Sequence, residues 1–353
     1  MDHKKELEDL IETVIREDGS DIHISEGRHP TIRVASFLVP LIKKPILSKD
    51  DVKGIFNALL NDEHKEVFEK KKEVDFAYAY GSKARFRGSA FLQQGMISIA
   101  LRLIPNKIRT VEELNLPPVI KTFADRQQGF FLVVGPTGQG KSTTLAAIID
   151  LINESRLEHI ITIEDPIEYV FPQKKSIIDQ REIKSDTPDF HTALRGVFRQ
   201  DVDVVMIGEM REPETISTAV TAAETGHFVL STLHTNTASQ TVDRIIDSFP
   251  AEQQNQIRLQ LAGSLAGIFS QRLIPRISGG LVPAYELLIA NSAVMNLIRE
   301  GRTHEINTVI ETSSEEGMID LNRSLAELVR QGEITVENAY RHSVNQKTLE
   351  KLM

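Results

Sequence analysis

In the first sixteen positions Leu7, Leu10, Ile11, Val14 and Ile15 recur at helical spacing among charged residues. The spacing predicts an amphipathic opening helix, with Gly19 as its C-terminal cap. The period then falls to two. Short alternating runs at 22–24, 31–34, 75–80, 84–92 and 97–103, broken by Gly27, Pro30, Gly81 and Gly95, predict a small α+β domain on an antiparallel sheet over residues 1–103. Pro105, Pro117 and Pro118 among polar residues mark 104–118 as an interdomain linker. Beyond it the strand-length runs at 130–134, 160–163, 202–207 and 228–233 are apolar in a continuous rather than an alternating way. Continuous apolarity is what a strand covered on both faces requires, so these runs predict an α/β domain with a mostly parallel sheet over 119–290. Helical spacing returns in 291–353, at Val294, Leu297 and Ile298 and again at Leu321, Leu325, Leu328 and Val329, with Gly301, Gly317 and Gly332 as breaks.

Composition narrows the functional classes. A chain of 353 residues has room for two cores. With 41 Lys+Arg against 50 Asp+Glu its net charge is −9, which disfavours a broad nucleic-acid face or generic binding to anionic membrane. It has no cysteine, and therefore no disulfide, thiolate nucleophile or cysteine zinc site. The charged N-terminus lacks a signal-peptide pattern, and no apolar run approaches the roughly 18 residues of a membrane span. The expectation is a cytoplasmic protein with no transmembrane segment and no nucleic-acid partner, docked to the inner face of the membrane through another protein.

The chemistry begins at Gly135-Pro136-Thr137-Gly138-Gln139-Gly140-Lys141-Ser142-Thr143, which fills every position of G-x-x-x-x-G-K-[ST] between an apolar strand and a helical run. Glycines let the backbone turn its N–H groups inward around phosphates, and the helix start adds its positive dipole end. ATP and Mg²⁺ are the ligands this implies. Lys141 is expected at the β- and γ-phosphates and the Ser142 hydroxyl on Mg²⁺.

Functional groups of such sheets gather where the strands end. After the run at 160–163 stand Glu164, Asp165 and Glu168. Here Glu164 is expected to polarise the attacking water and Asp165 to hold Mg²⁺ through water. Val204-Val205-Met206-Ile207-Gly208-Glu209 has the form of a Walker B strand, with glycine where the common pattern has an acid. Glu209 is the candidate to orient water, against the alternative that it caps the helix begun by Pro213. His227 and His234 flank the next strand without the spacing of a zinc pair. His234, beside Thr232, Thr235 and Asn236, is read as a γ-phosphate sensor.

Four stretches in order, GPTGQGKSTT at 135–144, ITIEDPIEY at 161–169, MIGEMRE at 206–212 and TAAETGHFVLSTLHTN at 221–236, resemble the ATPases of type II secretion and type IV pilus systems, and within them the pilus retraction motors. The resemblance implies a PAS-like α+β domain before a RecA-like P-loop ATPase domain, and a homohexamer working on an inner-membrane pilus platform protein, with a second retraction ATPase as a further partner. Arg85, Arg87 and Arg102 match positions where the family's first domain offers arginines to the nucleotide, and which of the three is the finger stays open. The family's four-cysteine zinc element and longer N-terminal region, typical of assembly and secretion motors, are lacking, which favours retraction. An accessory retraction paralogue, an assembly or secretion motor, and a ring subunit that binds ATP with negligible turnover are the alternatives. Two departures stand out. Met295 replaces an arginine in the family's C-terminal AIRNLIRE segment, here Ala293-Val294-Met295-Asn296-Leu297-Ile298-Arg299-Glu300, and Gln139 replaces the usual serine of the phosphate loop.

Overall fold

The computed structural model describes residues 2–34, 37–81, 83–104 and 107–353; Met1 and Pro105 of the segments read above lie outside the described residues. Two compact units divide at residue 107.

In the first unit, helix α1 (His3–Arg16) is capped by the Asp2 side chain and buries Leu7, Leu10, Ile11 and Val14. Ile15, on the edge of that stripe, is 40% exposed. The helix closes through Glu17 and a left-handed Asp18, not through Gly19. Gly19 instead opens strand β1 (Gly19–Ser25), where a Cβ would lie 2.6 Å from the Val14 side chain. It is glycine for lack of space. Strands β2 (Thr31–Val34) and β3 (Phe37–Pro40), helices α2 (Lys49–Leu59) and α3 (Asp62–Lys71), and strands β4 (Glu73–Tyr80), β5 (Ala84–Gln93) and β6 (Met96–Ile104) follow. The sheet order is β3-β2-β1-β6-β5-β4, every described pairing antiparallel. Its core joins the apolar faces of α1 and α2 to Ile22, Ile24, Phe86 and Leu101.

The second unit begins inside the proline-bearing segment, whose Val111 and Leu116 are buried in its core. It runs α4 (Ile120–Ala124), β7 (Gly129–Val134), α5 (Lys141–Ser155), β8 (His159–Glu164), β9 (Ile177–Glu182), α6 (Phe190–Val197), β10 (Val204–Ile207), α7 (Pro213–Glu224), β11 (Phe228–Leu233), α8 (Ala238–Asp247) and α9 (Ala251–Ser264), then β12 (Leu265–Pro275) and β13 (Leu281–Ile289). Helices α10 (Ser292–Glu300), α11 (Ile306–Thr312), α12 (Leu321–Arg330), α13 (Val336–His342) and α14 (Gln346–Leu352) complete it. The sheet order is β13-β12-β7-β11-β10-β8-β9, parallel except for the β12–β13 pair. Strand β7 shows why its sequence is apolar at every position. Phe130, Leu132 and Val134 enter the core under α6 to α11, while Phe131 and Val133 enter the one under α4 and α5. The last three helices pack on the far ends of β12 and β13 around Ile274, Val282 and Leu325.

Candidate functional site

Parallel pairing aligns the C-terminal ends of β7, β11, β10 and β8, with Val134 opposite Leu233 and Ile207 opposite both Ser231 and Ile163. The groups that follow those ends therefore meet along one edge of the sheet. Gly135, Gly138 and Gly140 adopt φ of 145°, 77° and 77°, which turns the chain from β7 into α5. Gly140 is the helix N-cap and offers no side-chain cap, so the first N–H groups of α5 are not claimed by a capping side chain.

Lys141 is buried, and its ammonium donates to the Gly135 and Pro136 carbonyls at 2.9 Å each. Burial lowers its pKa, against the opposing pull of Glu168 and Glu209. The same ammonium lies 3.4 Å from His234 Nδ1, as does the Thr137 hydroxyl. An ammonium only donates, so Nδ1 accepts and the imidazole proton sits on Nε2, which points 3.8 Å from Glu209 Oε2. Burial first, and then the Lys141 charge, lower the pKa of His234 and keep it neutral. Glu209 is also held by Arg211 at 2.8 Å, but that arginine is 76% exposed and the pair is worth at most about 1 kcal/mol.

The helix after β10 starts at Pro213 with Glu212 as N-cap and no capping side chain, so Glu209 is not its cap. Glu164 is buried, and burial raises its pKa. Its oxygens accept from the Thr162 hydroxyl (2.7 Å), the Gln180 amide (3.3 Å) and the Glu168 N–H (3.1 Å), which closes the turn carrying the exposed Asp165. Tyr169 at the end of that turn meets the Thr143 hydroxyl at 2.9 Å. Ser142 is half-buried in the first turn of α5. His227 binds the Ala222 carbonyl at 3.0 Å and packs edge-on to Phe198, a structural placement.

The arginines singled out from the sequence lie in the first unit. Arg87 and Arg102 are cross-strand partners, and Arg102 Nε donates to the nearly buried Asp21 at 2.9 Å. Arg85 and Arg87 stand on the face opposite Phe86, away from the unit's core.

Sequence reasoning missed the part played by β12. The Gln271 side chain, 3% exposed, accepts from the Thr144 hydroxyl at 2.7 Å and donates to the Gln139 carbonyl at 2.7 Å. The Gln271 backbone carbonyl presses on Gly135, where a Cβ would come within 2.4 Å of it. The signal was a polar stretch, Ser270-Gln271-Arg272, inside the otherwise apolar run of β12. Among the described residues no cluster of three or more His, Cys, Asp or Glu is placed to hold a metal, and no helix is long and apolar enough to cross a membrane.

A phosphate loop between β7 and α5 of a mostly parallel sheet, with a carboxylate and a neutral histidine at neighbouring strand ends, defines a P-loop ATPase whose nucleotide-binding domain follows an antiparallel α+β domain in the chain. The chain belongs to the family described as Type II/IV secretion system protein, whose family model matches residues 3–351. It is 43% identical over 334 residues to the type IV pilus retraction ATPase PilT of Pseudomonas aeruginosa, over 95% of this chain and 97% of that protein. It is 40% identical over 339 residues to the type IV pilus ATPase PilU of the same organism, over 96% of this chain and 88% of that one. A crystal structure of the pilus retraction motor PilT with bound ADP matches it with a TM-score of 0.92 at 43% identity, over 97% of this chain and 98% of that one.

Proposed function

We propose that this ATPase is the motor that retracts a type IV pilus, working as a homohexamer at the cytoplasmic face of the inner membrane against a pilus platform protein. The observation that carries the reading is near full-length similarity to PilT, joined to a complete loop, Glu209 and His234 on one sheet edge. The loop N–H groups and Lys141 grip the triphosphate. Glu209 aligns the attacking water, and the neutral His234 reads the γ-phosphate from Nε2. Mg²⁺ supplies charge neutralisation when bound, and Ser142, with Asp165 through water, are the residues that would hold it. Glu164 takes a positioning role, since its oxygens are engaged in shaping the turn. One of Arg85, Arg87 and Arg102 serves as the finger that neutralises charge on the transferred phosphoryl group. Positioning and electrostatics supply the catalysis, with no covalent intermediate.

Deleting the gene and counting surface pili tests the assignment. Loss of a retraction motor leaves cells with excess static pili, whereas loss of an assembly motor leaves none. The second reading, an accessory retraction ATPase, rests on the 40% identity to PilU, and near-normal retraction in the deletion strain is the outcome that selects it. Purified Lys141→Ala should neither bind nor hydrolyse ATP; normal turnover by that variant would remove the site assignment.

A further inference from the structure

Gln139 stands where the resemblance leads one to expect serine, and wrapping a phosphate does not call for a longer side chain. The structure gives it a partner. Strand β12 runs parallel to β7 with Ser270 opposite Val134, so Gln271 lies alongside the first residue of the phosphate loop. From there one glutamine reaches from the strand to the loop and the other from the loop to the strand. Gln271 donates its amide to the Gln139 backbone carbonyl at 2.7 Å, and Gln139 accepts the Leu273 backbone N–H on its own Oε1 at 2.7 Å. The other end of the Gln271 amide accepts from Thr144 in α5 at 2.7 Å, so one buried side chain ties the loop to the helix that follows it. A serine hydroxyl, two carbons shorter, does not span from the loop to the Leu273 N–H.

We propose that Gln139 and Gln271 form a reciprocal clamp fixing the phosphate loop against β12, and that Gln139 is a positioning residue for triphosphate binding in this chain. The inference rests on the nucleotide-site reading above. Pro136, Thr137 and Gly138 at the loop's apex are exposed, and a Cβ at Gly138 would find nothing within 4 Å, so beyond the polar contacts of Pro136 with Lys141 and of Thr137 with His234 the apex depends on the loop's base for its order. A loop ordered beforehand loses less freedom when a ligand arrives, which strengthens binding of substrate and transition state alike. Two neutral amides also do this without placing a negative charge beside the phosphates, which a carboxylate at either position would do.

The test uses the full-length protein, equilibrium binding of a fluorescent ATP analogue, and steady-state phosphate release, comparing wild type with Gln139→Ser, Gln139→Met, Gln271→Leu and Lys141→Ala. Loss of one such hydrogen bond predicts nucleotide affinity weaker by about five- to ten-fold in Gln139→Ser and Gln139→Met, with KM rising by the same factor and kcat falling far less. Adding Gln271→Leu to Gln139→Ser should cost less than the product of the two separate effects, because both break one device. If Gln271→Leu does not fold, the Gln139 variants, on a partly exposed loop, carry the test alone. Wild-type affinity in Gln139→Ser, or a fall in kcat at unchanged KM, overturns the clamp. Wild-type binding by Lys141→Ala removes the nucleotide-site reading and the clamp with it.

Discussion

His234 and Glu209 face each other at 3.8 Å, and this pairing assigns their parts: the imidazole carries its proton on Nε2, toward Glu209, and the Glu209 side chain offers acceptor oxygens for water. Glu209→Gln keeps the size of the side chain and removes the charge. Nucleotide binding should therefore persist in that variant while phosphate release falls by about 10² or more, in line with the loss of a general base. Glu286 is a different kind of acid. It is buried on β13, it accepts from the Ala238 N–H at 2.7 Å, and burial pushes its pKa up to about 7 despite Arg272 and with the help of Asp320. Its folded pKa thus lies above its ordinary value, and the stability it contributes is complete below that ordinary value and is lost as pH rises through about 7. Thermal unfolding between pH 5 and 8 should show wild type losing stability that Glu286→Gln retains, since the glutamine oxygen still accepts from Ala238 and never ionises.

Elements with a strong polarity pattern were legible. The stripe Leu7, Leu10, Ile11 and Val14 announces α1, and the continuous rather than alternating apolarity of β7, β8, β10 and β11 announces a parallel sheet covered on both sides. Leu10 is fully buried in the first unit, so Leu10→Ala should cost about 2–5 kcal/mol in chemical denaturation, as truncation of a packed leucine does. Other elements hid for physical reasons. Helix α9 passes into β12 without a turn residue between Ser264 and Leu265, so no punctuation separates the two periods. Strand β9 lies at the sheet edge and is polar on both faces from Asp179 through Gln180 and Arg181 to Glu182, which leaves no core pattern to read. Gly19 looked like a helix cap because a glycine after a helical run usually is one, yet packing against Val14 is what demands it. The loop, Glu209 and His234 were legible because their chemistry is tied to strand ends. The clamp was not, since Gln139 and Gln271 lie far apart in the chain and meet only through the pairing of β7 with β12.

At the scale of the whole molecule the proposed motor needs six copies and an arginine from the first unit. Native mass spectrometry of the purified chain should show a sixfold assembly. Among Arg85→Ala, Arg87→Ala and Arg102→Ala, one should lower kcat by about 10³ or more while nucleotide binding survives. Arg102 carries a built-in orientation, because Asp21 anchors its Nε in the sheet's own register. The double tether of Lys141 to the backbone of its own loop has a last consequence. Any incoming anion competes with two carbonyls for one cation, so part of the Coulombic gain is offset by the contacts given up, and the same carbonyls reclaim the ammonium when the spent ligand departs. A self-resetting cradle of this kind holds substrate and product alike less tightly than an untethered cation would, and it returns to its starting geometry without help from any other element.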